Sequence, residues 1–444
     1  MNTLDRMKRL YSRKYGLVNS VYTQTDIRPS GFAISTNDNS SLGNIIPMCA
    51  FSVMRTFLKG LGDGGGSSLD FDKSKKKAYG EHIERSCART VNNKNISITF
   101  ESQDSLVSKN EFMLDFRRLI HFEEHFYEDP KFPLSKYYST DPIQWVKGYN
   151  YTKKNYTWIP AQSVFLYSHP LIEKRYVWGL STGLSCGKNF IEASISSILE
   201  VIERDSFMLT WHIQIPGKRI EMDMITNEAL LKVYRHIIKH LSGEDKLYIY
   251  DISKLHGVYT MITYIRNDLP NSYGLIIATA SHLDPQIAML KSLEELCQTQ
   301  AFAYHSLLKD PKRNIKELKP IELDTLHKHF HFYSTGKHSH AVDFISVSDE
   351  VVNLSDMKTC TKGNPMEDLK FLAKILEDNE LDVYLTDITT PEVINSGFNV
   401  VKAIIPDMVD LDSNYLYRQT NNKRLKDYFY GNKIEINDNP HPFP

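Results

Sequence analysis

The chain has almost no net charge: 53 Lys and Arg stand against 54 Asp and Glu, leaving −1 over 444 residues. Composition therefore gives no electrostatic reason to bind nucleic acid or an anionic membrane surface. No secretory leader and no apolar run of membrane length is present, so a cytoplasmic chain is expected. Cysteine is scarce and odd in number, with Cys49, Cys87, Cys186, Cys297 and Cys360 scattered along the chain. That scatter excludes the common Cys/His zinc spacings and predicts reduced thiols rather than a disulfide framework. No periodic repeat and no linker is visible. The one glycine-rich stretch, residues 60–68, lacks the Gly-Lys-Ser/Thr ending of a Walker phosphate loop. It reads equally as a flexible turn or as backbone that approaches a phosphate. A flavin or dinucleotide fingerprint is absent as well.

What is present is core-forming material. Hydrophobic residues make up 41% and aromatics 11%, enough for a large interior and too much for a disordered chain. Alternating stretches predict strands at 16–18, 247–252, 259–265, 383–385 and 400–405, and hairpin segments at 145–148 and 158–161. Helical periodicity predicts helices over 75–90, 190–211, 285–308 and 367–376. Mixed helices and strands without an internal boundary predict one large α/β (α+β) domain over 1–444.

The pattern Glu-x-x-Glu-Arg occurs twice, at Glu81–Arg85 and Glu200–Arg204. Each copy places two carboxylates and a guanidinium at i, i+3 and i+4, on one face of a helix. A single copy is most simply a solvated face with an internal ion pair. The second copy has a different context. Ile195, Ile198, Leu199 and Ile202 form its core stripe, while Ala193, Ser196 and Ser197 continue the carboxylate face with small residues. Carboxylates there need a cation, and Glu81, Glu84, Glu200 and Glu203 together suit hard, oxygen-loving Mg²⁺. A third helix carries Lys291, Glu295 and Gln298 on one face, an arrangement ordinary on its own. His282, before Asp284 and Pro285, reads as a capping or core histidine. The sequence closes on Pro440-His441-Pro442-Phe443-Pro444. Such a segment is stiff and extended, either a frayed terminus or an arm that brings a carboxylate at Pro444 into a pocket.

In order, these segments resemble the YcaO family of ATP-dependent enzymes that modify peptide backbones. The resemblance runs from Lys77–Arg85 through Trp145–Gly148, Trp158–Ala161, Ser181–Gly187 and Glu200–Asp205 to His282–Pro285 and Leu293–Gln298. The Pro-x-Pro-x-Pro ending resembles the azoline-forming branch, the D proteins of thiazole/oxazole-modified microcin pathways. The resemblance implies ATP-dependent cyclodehydration of Cys, Ser or Thr in a ribosomal precursor peptide, through phosphorylation of the backbone amide oxygen. It implies that Glu81, Glu84, Glu200 and Glu203 hold Mg²⁺ and ATP. Arg85, Arg204, Lys291, Glu295 and Gln298 would contact the nucleotide, and Pro444 would supply a catalytic carboxylate. It also implies a separate leader-binding partner resembling ubiquitin-activating proteins, an FMN-dependent dehydrogenase, and a homodimer within the complex. Two positions depart from the family: Lys291 stands where Arg is common, and Thr182 where Asn is. Thioamidation, macroamidine formation and a non-catalytic ATP-binding scaffold are the competing readings.

Overall fold

The structure, a computed structural model, describes residues 2–10, 20–24, 49–54, 64–91, 95–166, 174–241, 243–269, 273–309, 318–334, 336–429 and 435–443. The strand expected at 16–18 and the residue Pro444 lie outside these. Three sheets carry the fold. The smallest is antiparallel, in the order β1 (Ser20–Gln24), β2 (Cys49–Met54), β3 (Gly64–Ser68). A six-stranded sheet has the order β4 (Ile98–Ser102), β5 (Pro142–Asn150), β13 (Tyr384–Asp387), β14 (Asn399–Ile404), β7 (Leu184–Gly187), with β6 (Asn155–Pro160) also paired to β5. A five-stranded sheet has the order β11 (Leu275–His282), β10 (Tyr259–Arg266), β9 (Lys246–Asp251), β8 (Lys218–Glu221), β12 (Val351–Asn353), and only its β8–β12 pair is parallel.

Four helices organise the core: α1 (Phe71–Cys87), α2 (Phe190–Ile213), α3 (Pro285–Lys309) and α4 (Pro365–Asp378). Their starts are locally encoded. Asp70 accepts from the Lys73 amide at 2.8 Å, and Asn189 from the Glu192 amide at 2.9 Å. Each satisfies an otherwise orphaned helix N–H. Helix α1 begins earlier than its periodicity suggests because this Asp70 cap lies ahead of the apolar stripe. Gln214 ends α2 in a left-handed turn, with φ of 53°.

The period-two alternation of the six-stranded sheet puts α1 and α2 on opposite faces. Val400, Ile404 and Tyr384 pack with Ala78, Tyr79 and Ile83 of α1. Val401, Ala403, Val383 and Leu385 pack with Ala193, Ile198, Val201 and Ile202 of α2, together with Leu369 and Leu372 of α4. The second half of α2 crosses to the other large sheet, where Phe207, Met208 and Trp211 bury against Tyr250, Ile262, Tyr264 and Leu275. One helix thus joins both sheets. Among the described residues no helix is long and apolar enough to cross a membrane.

Two sequence expectations change. Residues 64–68 of the glycine-rich stretch form a strand, not a flexible turn. Methyl groups added at Gly64 and Gly66 would come within 2.6 Å of α1 backbone atoms, so the glycines allow strand and helix to touch. Two of the small residues of α2, Ala193 and Ser197, also serve packing rather than leaving open room, while Ser196 is exposed. Ala193 lies against Gly187, where an added methyl would come 2.5 Å from its amide, and Ser197 bonds back to the Ala193 carbonyl at 2.9 Å.

Candidate functional site

Strand β7 is the edge of its sheet, and the two patterned helices meet beside it. The outward amide of Cys186 donates to Glu84 at 2.7 Å, tying α1 to that edge. Glu200 of α2 lies within electrostatic reach of Glu84. Solvent reaches both side chains, yet protein surrounds them, as at the floor of a cleft. Burial pushes Glu84 up to about 7; the Cys186 amide opposes this and Glu81 adds to it. Glu200 is pushed up to about 8 by burial, against the attraction of Arg204 and with added repulsion from Glu84 and Glu203. These carboxyls carry too few local cations to ionise readily at neutral pH.

Glu203 is only 8% exposed and is held differently. It accepts from the Thr279 hydroxyl at 2.7 Å and the Ser281 amide at 3.2 Å, both from β11. Arg204 lies 3.0 Å from Glu203 and 3.9 Å from Glu200. Its Nη1 is buried without an aligned hydrogen bond, so the contact with Glu203 is ionic only. Glu81 accepts the Gly65 amide at 2.6 Å and pairs with Arg85.

Helix α3 closes the arrangement. Burial and repulsion from Glu203 push Glu295 up to about 7, with Glu81 as a further repelling neighbour. A methyl group at Gly65 would come 2.5 Å from the Gln298 amide nitrogen, which places Gln298 over the glycine strand. Lys291 is exposed, with Lys77, Glu203 and Glu295 as its charged neighbours. Glu294 turns away from the cluster and binds Lys73 at 2.9 Å, Lys77 at 2.7 Å and Ser68 at 2.9 Å, locking α3 to α1 and β3. His282 takes the capping role expected of it, its ring accepting the Asp284 amide at 2.9 Å.

Every described residue of the expected site therefore gathers in one place. Glu81, Glu84, Glu200, Glu203 and Glu295 form a connected carboxylate surface, edged by Arg85, Arg204, Lys291 and Gln298. Among the described residues no three His, Cys, Asp or Glu side chains group tightly enough to hold one ion by themselves. The donors are all oxygen, and they repel one another. That combination fits Mg²⁺, which commonly takes one or two protein carboxylates and completes its shell with water and phosphate oxygens. The unaligned Nη1 of Arg204 fits an incoming phosphate in the same way.

Sequence reasoning missed several contributors. Gly65, Thr279, Ser281 and the Cys186 amide support the carboxylates through backbone or neighbouring strands. Lys77 had a signal, since it stands four residues before Glu81 on the same helical face. A cavity of about 70 Å³ is lined by Val201 of α2 with Trp178, Thr182, Lys402, Asp410 and Gln419. There Lys402 donates to the Leu180 and Thr182 carbonyls at 2.9 and 2.5 Å.

The tail reaches this site as well. Trp211 donates to the Asn439 carbonyl at 2.9 Å, Tyr333 to that of Pro440, and His441 to that of Asp412 at 2.9 Å. Phe443 is 3% exposed and lies over the Arg204 guanidinium at 4.1 Å. Residues 437–443 are thus docked rather than frayed.

A model of the family described as YcaO cyclodehydratase, ATP- and Mg²⁺-binding, matches residues 65–409. An uncharacterised protein from Methanothermobacter thermautotrophicus is 23% identical over 274 residues, 60% of this chain. The match takes in 65% of that relative's length. A solved structure described as a heterocyclase in complex with substrate and cofactor has a TM-score of 0.77 at 16% identity, covering 99% of this chain and 57% of its own. YcaO from Methanopyrus kandleri, solved with AMPPCP and Mg²⁺, gives 0.63 at 16% identity over 92% of this chain and 88% of its own. The E. coli microcin synthetase McbBCD complex gives 0.57 at 17% identity, over 82% and 86%. At these identities the solved structures speak to the fold.

Proposed function

This chain belongs to the YcaO cyclodehydratase family, and on that premise we propose that it forms azolines from Cys, Ser or Thr of a ribosomal precursor peptide at the expense of ATP. The observation that carries the reading is the single carboxylate surface built by α1, α2 and α3, with Arg204 among its members. The side-chain sulfur or oxygen attacks the preceding backbone carbonyl carbon and gives up its proton. The resulting oxyanion takes the γ-phosphoryl group of ATP, and ADP leaves. The C–O bond then breaks with loss of phosphate, the amide proton departs, and C=N forms within the ring that the attack had closed. Oxygen leaves as phosphate because an amide oxygen is otherwise a poor leaving group.

Glu81, Glu84, Glu200 and Glu203 would hold Mg²⁺, which supplies charge neutralisation at the phosphates. Arg204 and Arg85 would contact phosphate oxygens; Lys291, Glu295 and Gln298 would orient the nucleotide. Lys291 gives a point charge where Arg would give a fork, so its phosphate contact is less directional. Pro444 follows Phe443 directly, and its carboxylate is proposed to orient the peptide or take a proton. A leader-binding protein resembling ubiquitin-activating proteins and an FMN-dependent dehydrogenase are the proposed partners, with two copies of this chain in the complex.

The test is Mg²⁺-dependent phosphate release with a Cys/Ser/Thr-rich precursor peptide and the partner present. Glu200→Gln and Glu203→Gln are expected to lower turnover by at least ~10²-fold while the fold is retained. Undiminished turnover in both variants would refute the site.

A further inference from the structure

We propose that Phe443 is a positioning residue for Arg204. The tail sets the plane of the guanidinium, so tail docking and nucleotide affinity are coupled. The inference rests on the ATP-binding reading above and goes beyond it, because there the tail acts only on the peptide.

The tail is fixed mainly through its backbone. The Asn437 amide donates to the His212 carbonyl at 2.9 Å, and its side chain donates to the Trp211 carbonyl at 3.1 Å. Tyr415, Trp211 and Tyr333 hold the next three carbonyls, at Asp438, Asn439 and Pro440. His441 uses both ring nitrogens. One donates to the Asp412 carbonyl at 2.9 Å, and the other accepts the Phe443 amide at 3.3 Å. These contacts deliver the Phe443 ring to one spot. Its neighbours there are Phe207, at 5.1 Å between ring centroids, and the Arg204 guanidinium, 4.1 Å from the ring centre. Arg204 and Phe207 are i and i+3 on α2, so they form one step of the helix surface into which the ring fits.

Among the described residues the other partners of the guanidinium are Glu200 and Glu203, both ion pairs. Glu200 is distant at 3.9 Å. Glu203 accepts from Thr279 and Ser281 and meets Nη1 at 3.0 Å as an ion pair without hydrogen-bond alignment, which holds the charge and not the plane. A guanidinium anchored at its central carbon by an aromatic ring does not use its N–H groups in that contact and keeps them for a bidentate acceptor, which is the geometry a phosphate uses. The aromatic face holds the cation by its quadrupole, a stronger hold when water is excluded, as at the 3% exposed Phe443. An aliphatic side chain of similar volume would fill the step without that attraction.

The experiment uses the full chain and isothermal titration with Mg²⁺ and a non-hydrolysable ATP analogue, which needs neither peptide nor partner. Phe443→Leu is expected to weaken nucleotide binding about 2- to 30-fold, the range of a cation–π contact. Phe443→Tyr and Phe443→Trp are expected to stay within about twofold of the parent chain. Leu binding as tightly as Phe, or Tyr and Trp binding as weakly as Leu, would overturn the role. A parent chain that does not bind the nucleotide would instead overturn the ATP-binding reading, and this inference with it.

Discussion

At the scale of single residues, the site is a set of charges that the protein alone does not balance. Glu84 and Glu295 are raised to about 7 and Glu200 to about 8, burial being the largest cause in each. In the unfolded chain these carboxyls titrate near the ordinary glutamate value of 4.5. The folded state therefore binds more protons than the unfolded one between those limits, and stability falls as pH rises. Buried histidines act oppositely, His441 being lowered to about 3 by burial, but their effect is complete above the ordinary histidine value of 6.5. From about pH 6.5 to 7.5, before the buried Lys254 and Lys402, lowered to about 8 by burial, oppose the loss, the ligand-free chain is thus expected to lose melting temperature, and Mg²⁺ with nucleotide to restore it. Glu200→Gln should flatten the ligand-free loss. Thermal unfolding across this range checks both; a ligand-free melting temperature that rises with pH would contradict the charge account.

At the scale of elements, long periodic segments were legible and supporting backbone was not. Helix α2 and helix α3 follow from their apolar stripes to within a few residues, and the β5–β6 hairpin from its Trp-containing segments. The carboxylate pairs were legible because helix geometry converts i, i+3 spacing into a shared face. Strand β3 was not. Glycine there reads as freedom, whereas its use is close approach to α1 and to Gln298. Thr279 and Ser281 of β11 were invisible because only tertiary pairing brings them to Glu203. The Cys186 amide carries no side-chain signal at all. Gly65→Ala tests this element directly. Its methyl would displace the end of the Gln298 side chain, 2.5 Å away, and spare the backbone. The expected result is an increase of about tenfold in the KM for ATP, the worth of one hydrogen bond to a charged group. Folding stability should change by less than about 1 kcal/mol. An unchanged KM would remove Gln298 from the nucleotide site.

At the scale of the whole molecule, α2 is the joint. Its first half belongs to the core of the six-stranded sheet and its second half to that of the five-stranded sheet, while the tail packs on Phe207 and Trp211. The site lies where these parts converge, so its geometry depends on all of them. We propose that the chain is one domain, as its sequence suggested, and expect a single unfolding transition that coincides by far-ultraviolet dichroism and tryptophan fluorescence. Two separated transitions would divide the sheets into independent units. The central claim, azoline formation driven by ATP, is tested most directly by weighing the peptide. The chain is incubated with ATP, Mg²⁺, partner and precursor peptide, and mass spectrometry is set against phosphate released. The account predicts loss of one water mass from the peptide for each phosphate. Phosphate release with sulfur exchanged for oxygen, or with no change in the peptide, would contradict it.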